Sequence, residues 1–214
     1  MSTASPQQDL VRHYEACFLE HGRTPKGVDW PNQSDLYTRF EVMLGVVRPG
    51  QEQPALLDLG CGPGLLLDYM EQTGRRQDFE YIGVDLSEPM LESARSHWPA
   101  YRFARQDIIA EPLPGGLVDY VILNGVLTER RGASPAQMAD YAANLLEAAF
   151  HAAREGIAFN VMGKLVDWER DDLFHWGFDE MAAAVSRRLS RHIRIRADYG
   201  LYEYTVYVYR QAGA

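Results

Sequence analysis

The sequence predicts an α/β fold built on a doubly wound, mostly parallel sheet of seven strands. Apolar runs of strand length alternate with amphipathic helical stretches at the spacing of βαβ units. The first apolar run ends in a glycine-rich loop, as open sheets do where the backbone approaches a ligand. The last two β-rich runs are separated only by residues 198–200, too few for a parallel crossover. The final strand is therefore predicted to run antiparallel.

The length and the composition of the chain fit a single domain. The chain has 214 residues, of which 46% are hydrophobic, enough for a sizeable core. We predict a single domain over 1–214, with an N-terminal helical cap over 1–50 and a Rossmann-like core over 51–214. The formal net charge of −9 argues against nucleic acid as the main partner. No apolar run approaches the ~20 residues that span a bilayer, and the start lacks a signal-peptide layout. We therefore expect a cytoplasmic protein with no membrane partner.

The cap is predicted to contain two amphipathic helices joined by a turn-rich stretch. The first helix covers 8–21 and places Leu10 on its apolar face. Glycine and proline over 22–32 predict turns. The second helix covers 34–47, and the Pro-Gly pair at 49–50 ends it.

Strands and helices alternate along the rest of the chain. The predicted strands cover 55–59, 81–84, 101–105, 118–123, 157–161, 192–197 and 201–209. The predicted helices cover 65–72, 88–97, 134–153 and 179–190. Ser87 is a suitable N-cap for the second of these helices, and Pro89 suits its first turn.

The loop after the first core strand decides between two nucleotide-like ligands. A dinucleotide fingerprint has the form G-x-G-x-x-G, whereas this loop has glycine at every second position, Gly60, Gly62 and Gly64. The spacing disfavours an NAD-type oxidoreductase. The stretch 56–64, Leu-Leu-Asp-Leu-Gly-Cys-Gly-Pro-Gly, resembles motif I of the class I S-adenosylmethionine-dependent methyltransferases.

Three further motifs follow in the order of that family. Residues 81–87 resemble its second-strand motif, 104–108 its third-strand motif, and 118–127 the fourth-strand motif that lines the methyl-transfer site. The resemblance covers roughly 54–210 and extends to a group of little-characterised bacterial small-molecule methyltransferases. It implies the Rossmann-like methyltransferase fold, with the last strand placed between the fifth and sixth.

The resemblance also implies S-adenosylmethionine as the cofactor, and it assigns candidate residues to each part of that molecule. The main candidates are Gly60, Cys61, Gly62, Asp85, Leu86, Asp107, Ile108 and Asn124. The loop would hold the methionine part, and Asp85 the ribose hydroxyls, since a carboxylate accepts two O–H donors at once. Asp107 and its neighbour would contact the adenine, and Asn124 would lie beneath the sulfonium.

Two further cofactor candidates have alternative roles. Asp58 is expected to order the loop amides through its carboxylate, or else to meet the cofactor's amino group. Arg39 is a candidate to clamp the cofactor's carboxylate with paired hydrogen bonds. Its alternative is a surface arginine on an amphipathic helix.

The sequence says less about catalysis. Methyl transfer from a sulfonium is an in-line displacement with a neutral leaving group, so alignment is the main requirement. A base is needed only if the acceptor must lose a proton early. No catalytic residue is certain, and the candidates for a base are His175 and Glu129. Two acidic residues alone, Asp171 and Asp172, are too few to predict a metal site.

The candidate substrate residues come from two regions. Tyr14 and Trp30 in the cap are candidates for the roof of the site, and each is equally explicable as cap packing. Arg170, Phe174 and Trp176 follow the fifth strand, where they either line a pocket or belong to a packed surface loop.

Together these features predict a methyltransferase that acts on a small, polar or acidic molecule. The alternative is a non-catalytic partner or sensor that binds S-adenosylmethionine or S-adenosylhomocysteine. The acceptor, the atom methylated and the oligomeric state, including a homodimer, stay open at this stage.

Overall fold

A computed structural model describes residues 6–213. Within these residues the strands are β1 Ala55–Leu59, β2 Glu80–Asp85, β3 Arg102–Arg105, β4 Val118–Leu123, β5 Ala153–Met162, β6 His192–Arg196 and β7 Glu203–Tyr209. The α-helices are α1 Pro6–His21, α2 Gln33–Leu44, α3 Leu65–Gln72, α4 Glu88–His97, α5 Pro135–Ala152 and α6 Phe178–Arg188. Short 3-10 turns lie at Lys26–Val28 and Arg76–Asp78. None of these helices has the length and apolar character that crossing a membrane requires.

The strands form one sheet in the order β3-β2-β1-β4-β5-β7-β6. The first five strands pair with one another in parallel, and β7 runs antiparallel to both β5 and β6. The predicted doubly wound sheet with an antiparallel last strand is thus confirmed, as is the place of β7 between the fifth and sixth strands. Because β1 to β4 are parallel, their carboxyl ends meet at one edge of the sheet.

Helices cover both faces of the sheet because neighbouring strand residues point to opposite sides. Leu57 belongs to the apolar cluster that contains α5 and α6, whereas Leu56 belongs to the cluster with α2 and α3. Leu10 is the buried residue of α1, and it joins the first of these clusters. Parallel strands buried on both faces are apolar throughout, which explains the continuous hydrophobic runs in the sequence.

Helix starts agree closely with the predicted caps. The Ser87 hydroxyl accepts from the Met90 amide, and Ser134 forms a capping box with Gln137. The largest boundary difference is in β5, predicted over 157–161 and observed over Ala153–Met162. The added residues pair with both neighbouring strands: Ala153 lies opposite Val118 of β4, and Gly156 and Met162 lie opposite residues of β7. Local propensity alone does not report such pairing.

Candidate active site

The loop after β1 has the backbone that its glycines permit. Gly60, Gly62 and Gly64 have φ of 80°, 52° and 79°, all in the left-handed region. The Gly60 N–H donates to the Val84 carbonyl at 2.7 Å, which draws the loop toward β2. A Cβ on Gly60 would lie 2.4 Å from Cγ2 of Val126. This position therefore requires glycine for conformation and for space.

Asp85, at the end of β2, organises the loop. One carboxylate oxygen accepts from the Gly62 N–H at 2.8 Å and the other from the Ser87 N–H at 2.8 Å. Burial raises the pKa of Asp85, while the amide hydrogen bonds oppose that rise. Each oxygen keeps further acceptor capacity, because a carboxylate has about four lone-pair sites.

The predicted role of Asp58 in ordering the loop amides is wrong. The amides of Gly60 and Gly62 donate to Val84 and Asp85 instead, and Asp58 accepts from the Tyr81 hydroxyl at 2.8 Å. The difference follows from position. Asp58 lies within β1, whereas Asp85 is the last residue of the neighbouring β2 and lies beside the loop. The other predicted role, contact with the cofactor's amino group, stays a prediction.

The carboxyl group of Asp58 predicts a specific pH dependence of stability. Burial raises its pKa from 3.8 to about 7, and the Tyr81 hydrogen bond opposes that rise. Between these values the native state binds more protons than the unfolded state, so the contribution of Asp58 is lost as pH rises toward 7. We expect Asp58→Asn to gain stability relative to wild type from pH 5 to about 7, by up to ~1.4 kcal/mol per pH unit, and the difference to level off between pH 7 and 8. Urea unfolding across this range measures the difference.

Asp119→Asn is the matched control for that experiment. Burial works against ionisation of Asp119, but hydrogen bonds from Arg154 and the Ala55 amide outweigh it, and its pKa is lowered. Its protonation is complete only well below pH 5, so its stability difference from wild type should stay constant from pH 5 to 8. A constant difference for Asp58→Asn as well would contradict the assigned pKa.

The ends of β3 and β4 add two more polar side chains. The Asp107 carboxylate accepts from the amides of Ile109 at 3.0 Å and Ala110 at 3.3 Å. The Asn124 side-chain oxygen is buried and has no hydrogen-bond partner among the described residues. An unpaired buried carbonyl oxygen is costly, so this atom is suited to a ligand donor.

One cavity brings the strand ends together. Its floor contains nine residues predicted for the cofactor, Asp58, Gly60, Cys61, Gly62, Asp85, Leu86, Asp107, Ile108 and Asn124. Burial raises the pKa of the Cys61 thiol well above its ordinary value, so the group lines the wall as an uncharged side chain.

The N-terminal segment covers the cavity. This roof consists of Gln7, Leu10, Val11, Tyr14, Val28, Trp30, Leu36 and Phe40. The Tyr14 hydroxyl donates to the Gly125 carbonyl at 3.0 Å. The Trp30 ring lies so close to Gly125 that a Cβ there would be 2.9 Å from it. Tyr14 and Trp30 thus lie beside the residue that follows Asn124, as the roof prediction requires, although their contact with a substrate stays a prediction.

Arg39 does not line this cavity. Its Nε donates to Glu203 at 2.8 Å, and its guanidinium carbon lies 3.7 Å from the Trp30 ring centroid. The residue is only 7% exposed, so the alternative of a surface arginine is wrong. The structure does not bring Arg39 to the place where it would clamp a bound cofactor, because Glu203 at the start of β7 already holds its guanidinium.

Arg39 belongs to a buried polar network that the sequence analysis missed. Asn160 donates to Glu203 at 2.8 Å and accepts from the Gly125 N–H at 2.8 Å. The network therefore connects α2, β5 and β7 to the residue beneath Trp30. Its only sequence signal is polar side chains within apolar strands, Asn160 above all.

The segment after β5 lies outside the cavity wall. Phe174 and Trp176 are buried in the core, and Arg170 and His175 border a separate small cavity. The Phe174 N–H donates to the Thr128 carbonyl at 2.8 Å, which attaches this segment to the loop after β4. The predicted substrate residues of this segment, Arg170, Phe174 and Trp176, therefore do not line the cavity beneath the roof.

Neither candidate base faces the cavity. His175 Nε2 accepts from the Arg170 N–H at 3.1 Å, so the proton is on Nδ1, which donates to Gly163 at 2.6 Å. Both ring nitrogens are therefore engaged. Glu129 is buried 3.0 Å from Nε of Arg131, and burial raises its pKa to about 7. It does not line the cavity either.

Arg131 also completes a cluster beside the roof. Ligand-type atoms of His13, Cys17 and Asp29 lie within 4.8 Å of one another. The Arg131 guanidinium contacts His13 and lies 3.3 Å from Asp29. A cation thus already occupies this cluster, which joins α1 to the loop after β4.

Comparison with known proteins gives a consistent result. A family model described as a methyltransferase domain matches residues 56–149. A Mycobacterium tuberculosis protein named as a methyltransferase is 32% identical over 156 residues, which cover 71% of this chain and 90% of that protein. Trans-aconitate 2-methyltransferase of Methylobacterium radiotolerans is 40% identical over 106 residues, but these cover 46% of this chain and only 39% of that enzyme.

Solved structures share the fold over nearly the whole chain. Magnesium protoporphyrin IX methyltransferase from Synechocystis, with bound SAM, has a TM-score of 0.68 at 16% identity and covers 99% of this chain and 100% of its own. The Burkholderia thailandensis 1,6-didemethyltoxoflavin-N1-methyltransferase, with bound 1,6-didemethyltoxoflavin and S-adenosylhomocysteine, has a TM-score of 0.65 at 17% identity. It covers 100% of this chain and 93% of its own.

Proposed function

Because the chain belongs to the S-adenosylmethionine-dependent methyltransferases, we propose that it transfers a methyl group to a small molecule held beneath the roof. The observation that carries the proposal is the convergence of residues from four strand ends on one cavity. Open α/β sheets bind ligands at this edge.

The floor offers a fitting partner for each part of the cofactor. The positive-φ backbone at Gly60 and Gly62 has no side chain to keep the methionine part away. Asp85 keeps acceptor capacity for ribose hydroxyls, and Asn124, whose side-chain oxygen is unpaired within the described residues, lines the cavity. Asp107 follows β3, at the place proposed for the adenine. When bound, S-adenosylmethionine supplies an electrophilic methyl group on a positively charged sulfur.

The chain's own contribution is positioning and exclusion of water. Apolar roof side chains from α1, α2 and the turn between them cover the floor. Holding reactants in line can supply roughly 7–11 kcal/mol of a barrier. The two candidate bases, His175 and Glu129, do not line the cavity. The proposed reaction therefore assigns neither of them the role of a general base.

Calorimetry tests the cofactor, and a labelled extract tests the reaction. We expect S-adenosylmethionine and S-adenosylhomocysteine to bind, and NAD not to bind. Incubation with methyl-labelled S-adenosylmethionine and a metabolite extract should then give a labelled small molecule, with heat-treated protein as the control. Absence of cofactor binding would contradict the proposal. Tight binding without any labelled product would favour a binding protein instead.

The names of relatives suggest acceptor classes without fixing one. Trans-aconitate and malonyl-acyl carrier protein are the acceptors named for two of them. The chain spans less than two fifths of each of those enzymes. We therefore propose a small acceptor. Whether this acceptor is polar or acidic must be judged from the residues that line the cavity, not from the names of relatives.

A further inference from the structure

The cavity wall contains carboxyl groups but, within the described part of the chain, no basic side chain. Its ionisable acids are Asp58, Asp85 and Asp107, and no lysine, arginine or histidine between residues 6 and 213 lines it. An acidic group placed beneath the roof would lose water without gaining a counter-charge from the wall, which is costly. A positive partner for an anionic acceptor would come only from the cofactor, in its sulfonium or its ammonium group.

The arginines around the cavity are already engaged. Arg39 is paired with Glu203, and Arg131 lies within the cluster with Asp29. Arg23, behind the glycine loop, is paired with Asp68 at 2.6 Å. One nitrogen of the Arg39 guanidinium has no partner among the described residues, but this group lies over the Trp30 ring and does not line the cavity. A carboxylate of the acceptor would therefore reach one of these cations only if Trp30 moved or one of these pairs broke.

The roof contains aromatic and aliphatic side chains, and Trp30 lies against Gly125, the residue that follows Asn124. Trp30 and Phe40 contribute rings, and Leu36 an aliphatic wall. The Tyr14 hydroxyl donates its hydrogen bond to the Gly125 carbonyl, so the Tyr14 oxygen can act only as an acceptor toward a ligand. The Asn124 oxygen also lacks a donor. These two oxygens would be satisfied by an O–H or N–H group of the ligand.

We propose that the methyl acceptor is a flat, uncharged aromatic molecule bearing an O–H or N–H group. The inference rests on the proposed function. It differs from the sequence-based expectation in that the acceptor is polar but not acidic. The acceptor's oxygen or nitrogen forms the bond to the methyl carbon. The carbon–sulfur bond breaks with its electron pair left on sulfur, and the acceptor's proton passes to solvent after the methyl group has been transferred.

Binding to the protein loaded with S-adenosylhomocysteine tests this inference. The probes are two matched pairs, 2-naphthol with 2-naphthoate and indole with indole-2-carboxylate, together with trans-aconitate. We expect the neutral member of each pair to bind at least about tenfold more tightly, the effect of one uncompensated buried charge, and trans-aconitate not to bind. Tighter binding of a carboxylate, or no binding by either neutral probe, would overturn the inference. If S-adenosylhomocysteine itself fails to bind, the proposed function fails first.

Two tryptophan variants locate the binding surface. Trp30→Ala should weaken 2-naphthol binding about tenfold, while S-adenosylhomocysteine affinity changes less than about threefold. Trp168, which is 73% exposed and outside this cavity, provides the matched control. Trp168→Ala should leave both affinities unchanged. Equal effects of the two substitutions on 2-naphthol would contradict a site beneath Trp30.

Discussion

Replacing Asp85 with alanine is expected to weaken S-adenosylhomocysteine binding about 100-fold. Charge-assisted hydrogen bonds to two ribose hydroxyls are each worth about 1.5–3 kcal/mol, so the loss of both corresponds to a factor of about 100 even at the lower value. The substitution also frees the Gly62 and Ser87 amides that the carboxylate now holds. Calorimetric titration measures the affinity, and circular dichroism checks that the fold persists.

Asp119→Asn is a suitable control for this affinity. Asp119 also accepts hydrogen bonds at a strand end, from Arg154 and the Ala55 amide, but it lies outside the cavity. Its replacement should change the affinity less than about twofold. Asp85→Asn, which keeps one acceptor oxygen, should fall between the two. Unchanged affinity in Asp85→Ala would show that the ribose lies elsewhere.

Replacing Glu203 with leucine is expected to destabilise the protein by about 3–5 kcal/mol. The Glu203 side chain is fully buried, and it accepts from both Arg39 and Asn160. Its loss leaves the Arg39 guanidinium buried without a counter-charge, and one nitrogen of that group already has no partner. Urea unfolding with a two-state fit measures the change.

A double variant separates charge from packing. Arg39→Met combined with Glu203→Leu removes both charges and should recover more than half of the lost stability, since apolar replacement of a buried pair is often tolerated. Glu180→Leu is the surface control: its partner Lys164 is 2.9 Å away, but the Glu180 side chain is 62% exposed. That change should cost less than about 1 kcal/mol. A double variant as unstable as Glu203→Leu would refute the charge explanation.

The floor of the cavity could be predicted from the sequence because its determinants are local. A glycine with positive φ and an acidic residue at a strand end follow from a few neighbouring positions, such as Gly60 and Asp85. Parallel strands then bring these short stretches to one edge. Nine predicted residues therefore line one cavity, although their contacts with the cofactor stay predictions.

The roof and the segment after β5 could be predicted only in part. Trp30 was placed correctly near the cavity, but the substrate candidates Phe174 and Trp176 are buried elsewhere. Their position depends on pairing between 172–174 and the loop after β4, which no local pattern encodes. Arg39 illustrates the same limit, because its partner Glu203 is 164 residues away in the chain.

The roof helix α1 differs from the sheet in how firmly it is held. Leu10 is the one buried residue among those described in this helix, and it also borders the cavity. A helix with so little apolar burial has a low free energy of local opening, well below that of the sheet. A ligand that binds only the closed form raises this opening free energy in proportion to its own binding. The order of the first helix and the contents of the cavity are therefore thermodynamically linked.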